Sequence, residues 1–281
     1  MRSTQDWIEG SPYAAALGVQ CASLDAEAST LLLPFAEQNA NPGQALHGGC
    51  AASLGVIAGQ AIARGVLGAE AGPFHTAGLQ VNYLAAAIGE DVKAEARLLR
   101  RGKNMCFVEV EVATLAGKQI AHATSMVRGR FGAGAPVLHA SPGDDGAADP
   151  GPMGPHIGKL NFGRARGLVI EHMANGRSRI TMPDADANAD AEGGMHEGAV
   201  LALLDTTGAM AAWAETGPGP YKASTPCLQA QVLVSPPKQG LVAYGRVIQR
   251  DGDGFWSDVE VAGQDDGCVV ARGTVLYRIV T

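Results

Sequence analysis

The sequence predicts an α+β protein made of two tandem copies of one unit, each a buried helix held against an antiparallel sheet. Three observations predict it. From Ala199 to Ala214 the only ionisable side chain is Asp205, and a helix apolar on every side is a buried one. The stretch Leu46 to Ala63 repeats this one at a spacing of 149 residues, from 47 to 196: His47 matches His196, Gly49 matches Gly198 and Leu54 matches Leu203, while Asp205 falls on Val56. Such internal repeats organise a chain. Each helix is then followed by four segments of strand character, the order of a helix packed on an antiparallel sheet.

The elements follow in order. Ser11 as N-cap and Pro12 at the first helical position predict a short helix through Leu17. Val19–Leu24 and Ala28–Leu33 read as a strand pair ended by Pro34, and the turn-rich loop Ala36–Gln44 leads to His47. After the first long helix, Thr76–Leu84 and Glu90–Leu99 read as strands, with a turn at Arg100–Lys103. In Met105–Thr114, Val108, Val110 and Val112 alternate with Glu109 and Glu111, a strand with one wet face. Ala116-Gly117-Lys118 is a hairpin signal, and Gln119–Gly129 closes the first sheet.

Residues 132–155 have the Gly/Ala/Pro composition of a linker. Fully extended, about 24 residues at about 3.3 Å each would cross a whole small domain. The domains are therefore read as 1–131 and 156–281, joined by 132–155. In the second half, Leu168–Glu171 and Arg177–Met182 form the strand pair, and Thr225–Val234 matches Thr76–Ala85. Leu241–Gln249, Trp256–Ala262 and Cys268–Val280 match the last three strands. Asp251-Gly252-Asp253-Gly254 has the start of a calcium loop without the later Glu, and reads as a hairpin turn.

Composition bounds the function. With 281 residues, two domains are the prior expectation. A net charge of −7 argues against a nucleic-acid partner. The cysteines, Cys21, Cys50, Cys106, Cys227 and Cys268, are odd in number and form no C-x-x-C pair, which suggests neither a disulfide framework nor a zinc knuckle and fits a reducing cytoplasm. The N-terminal residues have no apolar signal region. The helices read as too short and too glycine-punctuated to span a bilayer. No membrane partner, no metal and no cofactor is expected.

Leu46-His47-Gly48-Gly49 opening a buried helix, with an acid nine residues after the matching His196 in the second copy, resembles the PaaI-like hotdog-fold acyl-CoA thioesterases of the 4-hydroxybenzoyl-CoA thioesterase superfamily. The resemblance covers nearly the whole chain and implies two tandem hotdogs paired side by side as an intrachain pseudo-dimer. It further implies composite sites between the hotdogs. One hotdog supplies an Asn six residues before the motif His and the N–H of the first motif Gly; these fall on Asn41 and Gly48. The other supplies the helix acid and a Ser or Thr at the start of the next strand; these fall on Asp205 and Thr225.

The reciprocal site reads as decayed. It would be built from Asp190 and Glu197 with Val56 and Thr76. Val56 cannot act as a base, and Glu197, in place of Gly, would crowd the pocket mouth with negative charge.

The chemistry implied is thioester hydrolysis of an acyl-CoA substrate. A helix N-terminus offers free N–H groups and a positive dipole end, so the Gly48 N–H can hold an oxyanion. Asp205 would be the general base or the nucleophile, with Thr225 and Asn41 holding the water or the carbonyl. His47 and Gly49 are assigned to substrate contact, His47 mainly bracing the helix start. Arg100, Arg101 and Lys103 are candidates for the coenzyme A end by charge alone. Hydratases of the same fold place an Asp five residues before a catalytic His, where this chain has Pro42. The remaining alternative is a non-catalytic acyl-CoA or small-ligand binding module. By analogy a homodimer of double-hotdog chains is expected.

Overall fold

The computed structural model describes residues 3–130, 137–142 and 146–280. Two short helices open the chain, α1 (Thr4–Glu9) and α2 (Pro12–Leu17). Helix α1 starts on a capping box: the Ser3 hydroxyl accepts from the Asp6 N–H, and the Asp6 carboxylate accepts from the Ser3 N–H. Ser11 caps α2, with Pro12 in its first turn. There follow β1 (Gln20–Leu24), β2 (Ala28–Leu33), the long helix α3 (Gly48–Leu67), β3 (Phe74–Tyr83), β4 (Val92–Arg101), β5 (Met105–Thr114) and β6 (Gln119–Gly129).

The second copy repeats this order: α4 (Gly154–Ile157), α5 (Asn161–Arg166), β7 (Val169–Ala174), β8 (Arg177–Met182), α6 (Glu197–Thr216), β9 (Lys222–Val232), β10 (Leu241–Asp251), β11 (Gly254–Gly263) and β12 (Val269–Val280). Arg100 and Arg101, expected in a turn, remain in β4, because pairing with Phe107 and Cys106 holds them in the ladder.

All twelve strands form one antiparallel sheet in the order β1-β2-β4-β5-β6-β3-β9-β12-β11-β10-β8-β7. Strands β3 and β9 join the copies, with Leu79, Gln80 and Val81 facing Ala230, Gln229 and Leu228. Gln80 and Gln229 are equivalent at the spacing of 149, so a pseudo-twofold axis passes between them. This is the tandem hotdog arrangement, with α3 and α6 as the two central helices.

Both helices are buried along most of their length, α3 from Gly49 to Ala63 and α6 from Glu197 to Ala212. One glycine in each sets the helix-to-sheet distance. A Cβ on Gly59 would lie 2.5 Å from Ser125 Oγ, and one on the equivalent Gly208 would lie 2.5 Å from Val275 Cβ. In β5, Cys106, Val108, Val110 and Val112 are buried beneath the helix, as their alternation predicts.

His47 and His196 are the N-caps of α3 and α6, each Nδ1 accepting from the N–H two residues on. Each is covered by an aromatic ring from the other copy. Phe162 of α5 stacks on His47 at 3.9 Å between centroids, and Tyr13 of α2 stacks on His196 at 4.9 Å. Tyr13 and Phe162 are themselves 149 residues apart, so the two short helices are exchanged across the pseudo-twofold axis.

Residue 131, at the end of the first expected domain, and residues 132–136 and 143–145 of the linker stretch lie outside the described residues, as do residues 1–2 and 281. The described parts of the linker stretch lie against the second copy. The Val269 N–H donates to Leu138 O, the Ala140 N–H to Gly267 O, and the Met173 N–H to Asp149 O. The expectation that the helices are too short to span a bilayer does not hold for α3. It is 20 residues long and apolar enough to cross one, and its hydropathy is used instead to fill the concave face of the sheet, with 78% of its most apolar window buried.

Candidate active site

The antiparallel packing of α3 on α6 places the start of each helix beside the middle of the other. Gly48, first residue of α3, lies so close to Asp205 of α6 that a Cβ on it would be 2.7 Å from Asp205 Oδ2. Only glycine permits that approach. Asp205 is 4% exposed, and its Oδ1 has no partner. Burial pushes its pKa up from the ordinary carboxylate value to about 7, opposed by a hydroxyl contact from Thr225. A half-satisfied carboxylate in an apolar helix is costly, and a carboxyl group whose pKa lies near neutrality can gain or lose a proton there.

Asp205 opens into a cavity of about 390 Å³ between the two copies. Asn41, His47, Gly48 and Thr225 line it with Asp205, so the residues expected from both halves are brought together. Asn41 sits in the loop before α3, where its N–H donates to Ala45 O, and its side chain makes no cap bond. Thr225 stands on β9, half-buried. At the start of α3 the Gly49 and Cys50 amides are satisfied by His47 Nδ1 and His47 O. The Gly48 amide, ahead of them, has no partner among the described residues and lies at the positive end of a 20-residue helix.

Two of the expected substrate contacts have other work. The Gly49 N–H is taken by His47, and a Cβ there would lie 2.6 Å from Ala202 Cβ; Gly49 is a helix-crossing residue. His47 lines the cavity, but it is committed through Nδ1 to the helix start and through its ring face to Phe162. Burial lowers its pKa to about 4, so it is neutral at pH 7.

Arg100, Arg101 and Lys103 do not line the cavity. They are exposed at the end of β4 and in the turn beyond it, and β4 is separated from β3 by β5 and β6. The cationic side chain at the cavity is Arg278 of β12, held by Asp253 at 2.6 Å. Sequence reasoning missed it and also Tyr83, whose hydroxyl donates to the Gly48 carbonyl at 3.1 Å. Thr206 and Met210, one and five residues beyond Asp205, also line the cavity. Helical spacing from Asp205 points instead to Ala209, four residues on, which also lines the cavity.

At the reciprocal position Val56 is fully buried and supplies no base. Thr76 Oγ1 is buried without a partner. Asp190 accepts from the Glu192 N–H and lies 3.7 Å from His196 Nε2. Glu197 does not crowd the mouth with unpaired charge as expected. It is 6% exposed and folded inward, where His75, the Thr76 N–H and Gln60 satisfy its two oxygens.

Residues 36–129 match the family described as the acyl-CoA thioesterase N-terminal domain. A comparison with curated proteins gave no match. Among solved structures, a hotdog-fold protein from Alicyclobacillus acidocaldarius is similar over 100% of this chain and 99% of its own, at 15% identity and a TM-score of 0.66. The tesB protein of Mycobacterium avium subs paratuberculosis is similar over 95% of this chain and 98% of its own, at 12% identity and a TM-score of 0.64. The acyl-CoA thioesterase II TesB2 of Mycobacterium marinum covers 97% of this chain and 96% of its own, at 11% identity and a TM-score of 0.59. At these identities the likeness is one of fold. Together with the two equivalent helix-and-sheet units, it makes the chain a tandem hotdog protein whose first hotdog matches the acyl-CoA thioesterase N-terminal domain.

Proposed function

We propose that the chain hydrolyses acyl-CoA thioesters in the cavity that holds Asp205, and that the reciprocal pocket has lost this chemistry with the loss of its helix-centre carboxylate. The observation that carries the proposal is the placement of Asp205 Oδ2 against Gly48, which sets a base of one copy beside the helix N-terminus of the other. The thioester carbonyl oxygen points at the Gly48 N–H. Asp205 takes a proton from a water held by Thr225 and Asn41, and the hydroxide adds to the carbonyl carbon. The Gly48 amide and the α3 dipole hold the oxyanion. The C–S bond then breaks, the sulfur takes the proton held by Asp205, and the thiol leaves toward the open side of the cavity, where Arg278 stands. Direct attack by Asp205 through an anhydride uses the same placement.

The acyl group lies inward. A recess of about 60 Å³ shares Asn41, His47, Thr206 and Met210 with the main cavity and is otherwise walled by side chains such as Ile157, Leu160, Phe162 and Ile170. That volume suits a short apolar or small aryl group.

Thiol release from a panel of acyl- and aryl-CoA esters, for wild type and Asp205→Asn, tests the proposal. General-base catalysis predicts a loss of about 10²-fold or more in Asp205→Asn. Turnover unchanged by that substitution would overturn the role of Asp205. Tight acyl-CoA binding without turnover in the wild type would make the chain a binding module.

A further inference from the structure

The reciprocal pocket carries a different set of reactive groups. His75 Nδ1 lies 2.8 Å from Glu197 Oε1, and Ser235 Oγ lies 3.2 Å from His75 Nε2. The three line one cavity of about 220 Å³, with Gln60, Arg64 and Asp190 among its other walls. A hydroxyl, an imidazole and a carboxylate in series, each within hydrogen-bond reach of the next, are the constellation of an activated serine nucleophile. We propose that Ser235, His75 and Glu197 form a second hydrolytic site, with Ser235 as nucleophile, His75 as general base and Glu197 as the group that orients it, acting on small uncharged esters.

Four observations support this. First, the carboxylate is fixed. Glu197 Oε2 accepts from the Thr76 N–H at 2.9 Å and from Gln60 Nε2 at 2.7 Å, which leaves Oε1 to take the His75 Nδ1–H. With Nδ1 carrying the proton, Nε2 is the acceptor for the Ser235 hydroxyl.

Second, exposure is graded as the chemistry needs. Glu197 and His75 are 6% and 4% exposed, while Ser235 is exposed and open to a substrate. Third, the serine sits on a stiff loop. Pro236 and Pro237 follow it, and the Met195 N–H donates to Pro237 O.

Fourth, the set is specific to this pocket. At the spacing of 149, Glu197, His75 and Ser235 correspond to Gly48, Ser224 and Ala86. Those three line the Asp205 cavity and cannot form such a series. The two pockets therefore draw their carboxylates from different places, the helix middle in one and the helix start in the other.

The walls indicate the substrate. Asp190, Glu192 and Glu197 make the cavity acidic, and the Arg64 guanidinium is paired with Glu192 at 2.7 Å. Anionic esters such as acyl-CoA are disfavoured there. In the reaction the Ser235 oxygen bonds to the ester carbonyl carbon while its proton passes to His75 Nε2. The bond to the alcohol oxygen breaks, and that oxygen takes the proton from His75. Water then cleaves the acyl-serine by the same proton route, releasing the acid and restoring Ser235.

The test is run in the Asp205→Asn background, so that turnover is read from one pocket. p-Nitrophenyl acetate hydrolysis is measured with and without Ser235→Ala and His75→Gln, and a fluorophosphonate is applied, with the modified residue located by peptide mass spectrometry. The expected result is phosphonylation of Ser235 with loss of fluoride, absent in His75→Gln, and a fall in esterase rate of about 10²-fold or more in either variant. Ser235 is exposed, so its alanine variant folds irrespective of chemistry, and fluorophosphonate labelling reads the wild-type chain directly. No adduct on Ser235, or an esterase rate unmoved by Ser235→Ala, would overturn the proposal.

Discussion

The Phe162 ring lies 3.9 Å from the His47 ring, with 4° between their planes. This stack ties the second hotdog's short helix to the residue that caps the first hotdog's central helix. Phe162 is 1% exposed. Phe162→Ala is expected to cost about 3–5 kcal/mol, the range for removing a large buried ring, measured by denaturant unfolding. Because the ring also walls the acyl recess, the same variant is expected to raise KM for short acyl groups more than for long ones.

His47 gives the fold a dependence on acid. Its folded pKa, lowered by burial to about 4, lies below the ordinary 6.5. The unfolded chain therefore binds the proton first. The contribution is fully present above pH 6.5 and is lost as pH falls toward 4. A shift of that size corresponds to about 3 kcal/mol. His47→Gln is expected to flatten unfolding free energy against pH within this window, and an unchanged profile would contradict a neutral, half-buried cap.

Asp205 acts in the opposite direction. Its folded pKa, about 7, lies above the ordinary 3.8. Here the folded chain holds the proton longer, so stability present below pH 3.8 declines as pH rises to 7. Asp205→Asn removes that penalty. At pH 8 it is expected to be more stable than wild type by up to about 4 kcal/mol while losing turnover. The wild-type kcat/KM should rise with an apparent pKa near 7, a limb missing in the residual rate of the variant.

Much of this was legible in the chain. The spacing of 149 gave both central helices. The alternation of Val108, Val110 and Val112 with Glu109 and Glu111 gave β5. Asp205 stood out because no other charge lies between Ala199 and Ala214. What stayed hidden depends on contacts between distant segments. Nothing near Phe162 indicates that it covers His47, because the exchange of short helices follows from the pseudo-twofold axis. Glu197 read as an intruding charge because its partners His75 and Thr76 lie 122 and 121 residues away. Arg100, Arg101 and Lys103 were chosen by charge, and charge does not reveal which strand adjoins the cavity.

The two adjacent glycines at the start of α3 separate chemistry from packing. A methyl at Gly48 would sit 2.7 Å from Asp205 Oδ2, while one at Gly49 would sit 2.6 Å from Ala202 Cβ and 3.0 Å from its Cα. Gly48→Ala displaces the carboxylate and is expected to lower kcat by about 10²-fold, the cost of a displacement of about 1 Å at a reacting group. Gly49→Ala forces the helices apart and is expected to cost about 1–3 kcal/mol of stability. Kinetics and unfolding on both variants check the division: a Gly49→Ala chain of full stability would refute the tight crossing, and a Gly48→Ala chain of full activity would refute the Asp205–Gly48 placement.

Val56 is where symmetry invites a simple repair, and the structure predicts that the repair fails. At the spacing of 149, residue 56 faces the start of α6 as Asp205 faces the start of α3. A carboxylate at position 56 would meet Glu197, already held by His75, the Thr76 N–H and Gln60. Val56→Asp thus adds a buried charge beside one that is already satisfied, with the Thr76 hydroxyl as its free donor, and is expected to cost about 3–5 kcal/mol with no gain in thioester turnover. Glu197→Gly removes the competing carboxylate and restores the small residue that Gly48 supplies on the other side. The double variant is therefore expected to recover part of the lost stability. Denaturant unfolding of the two single variants and the double variant measures this coupling. Strictly additive effects would show that residues 56 and 197 do not face each other across the pocket.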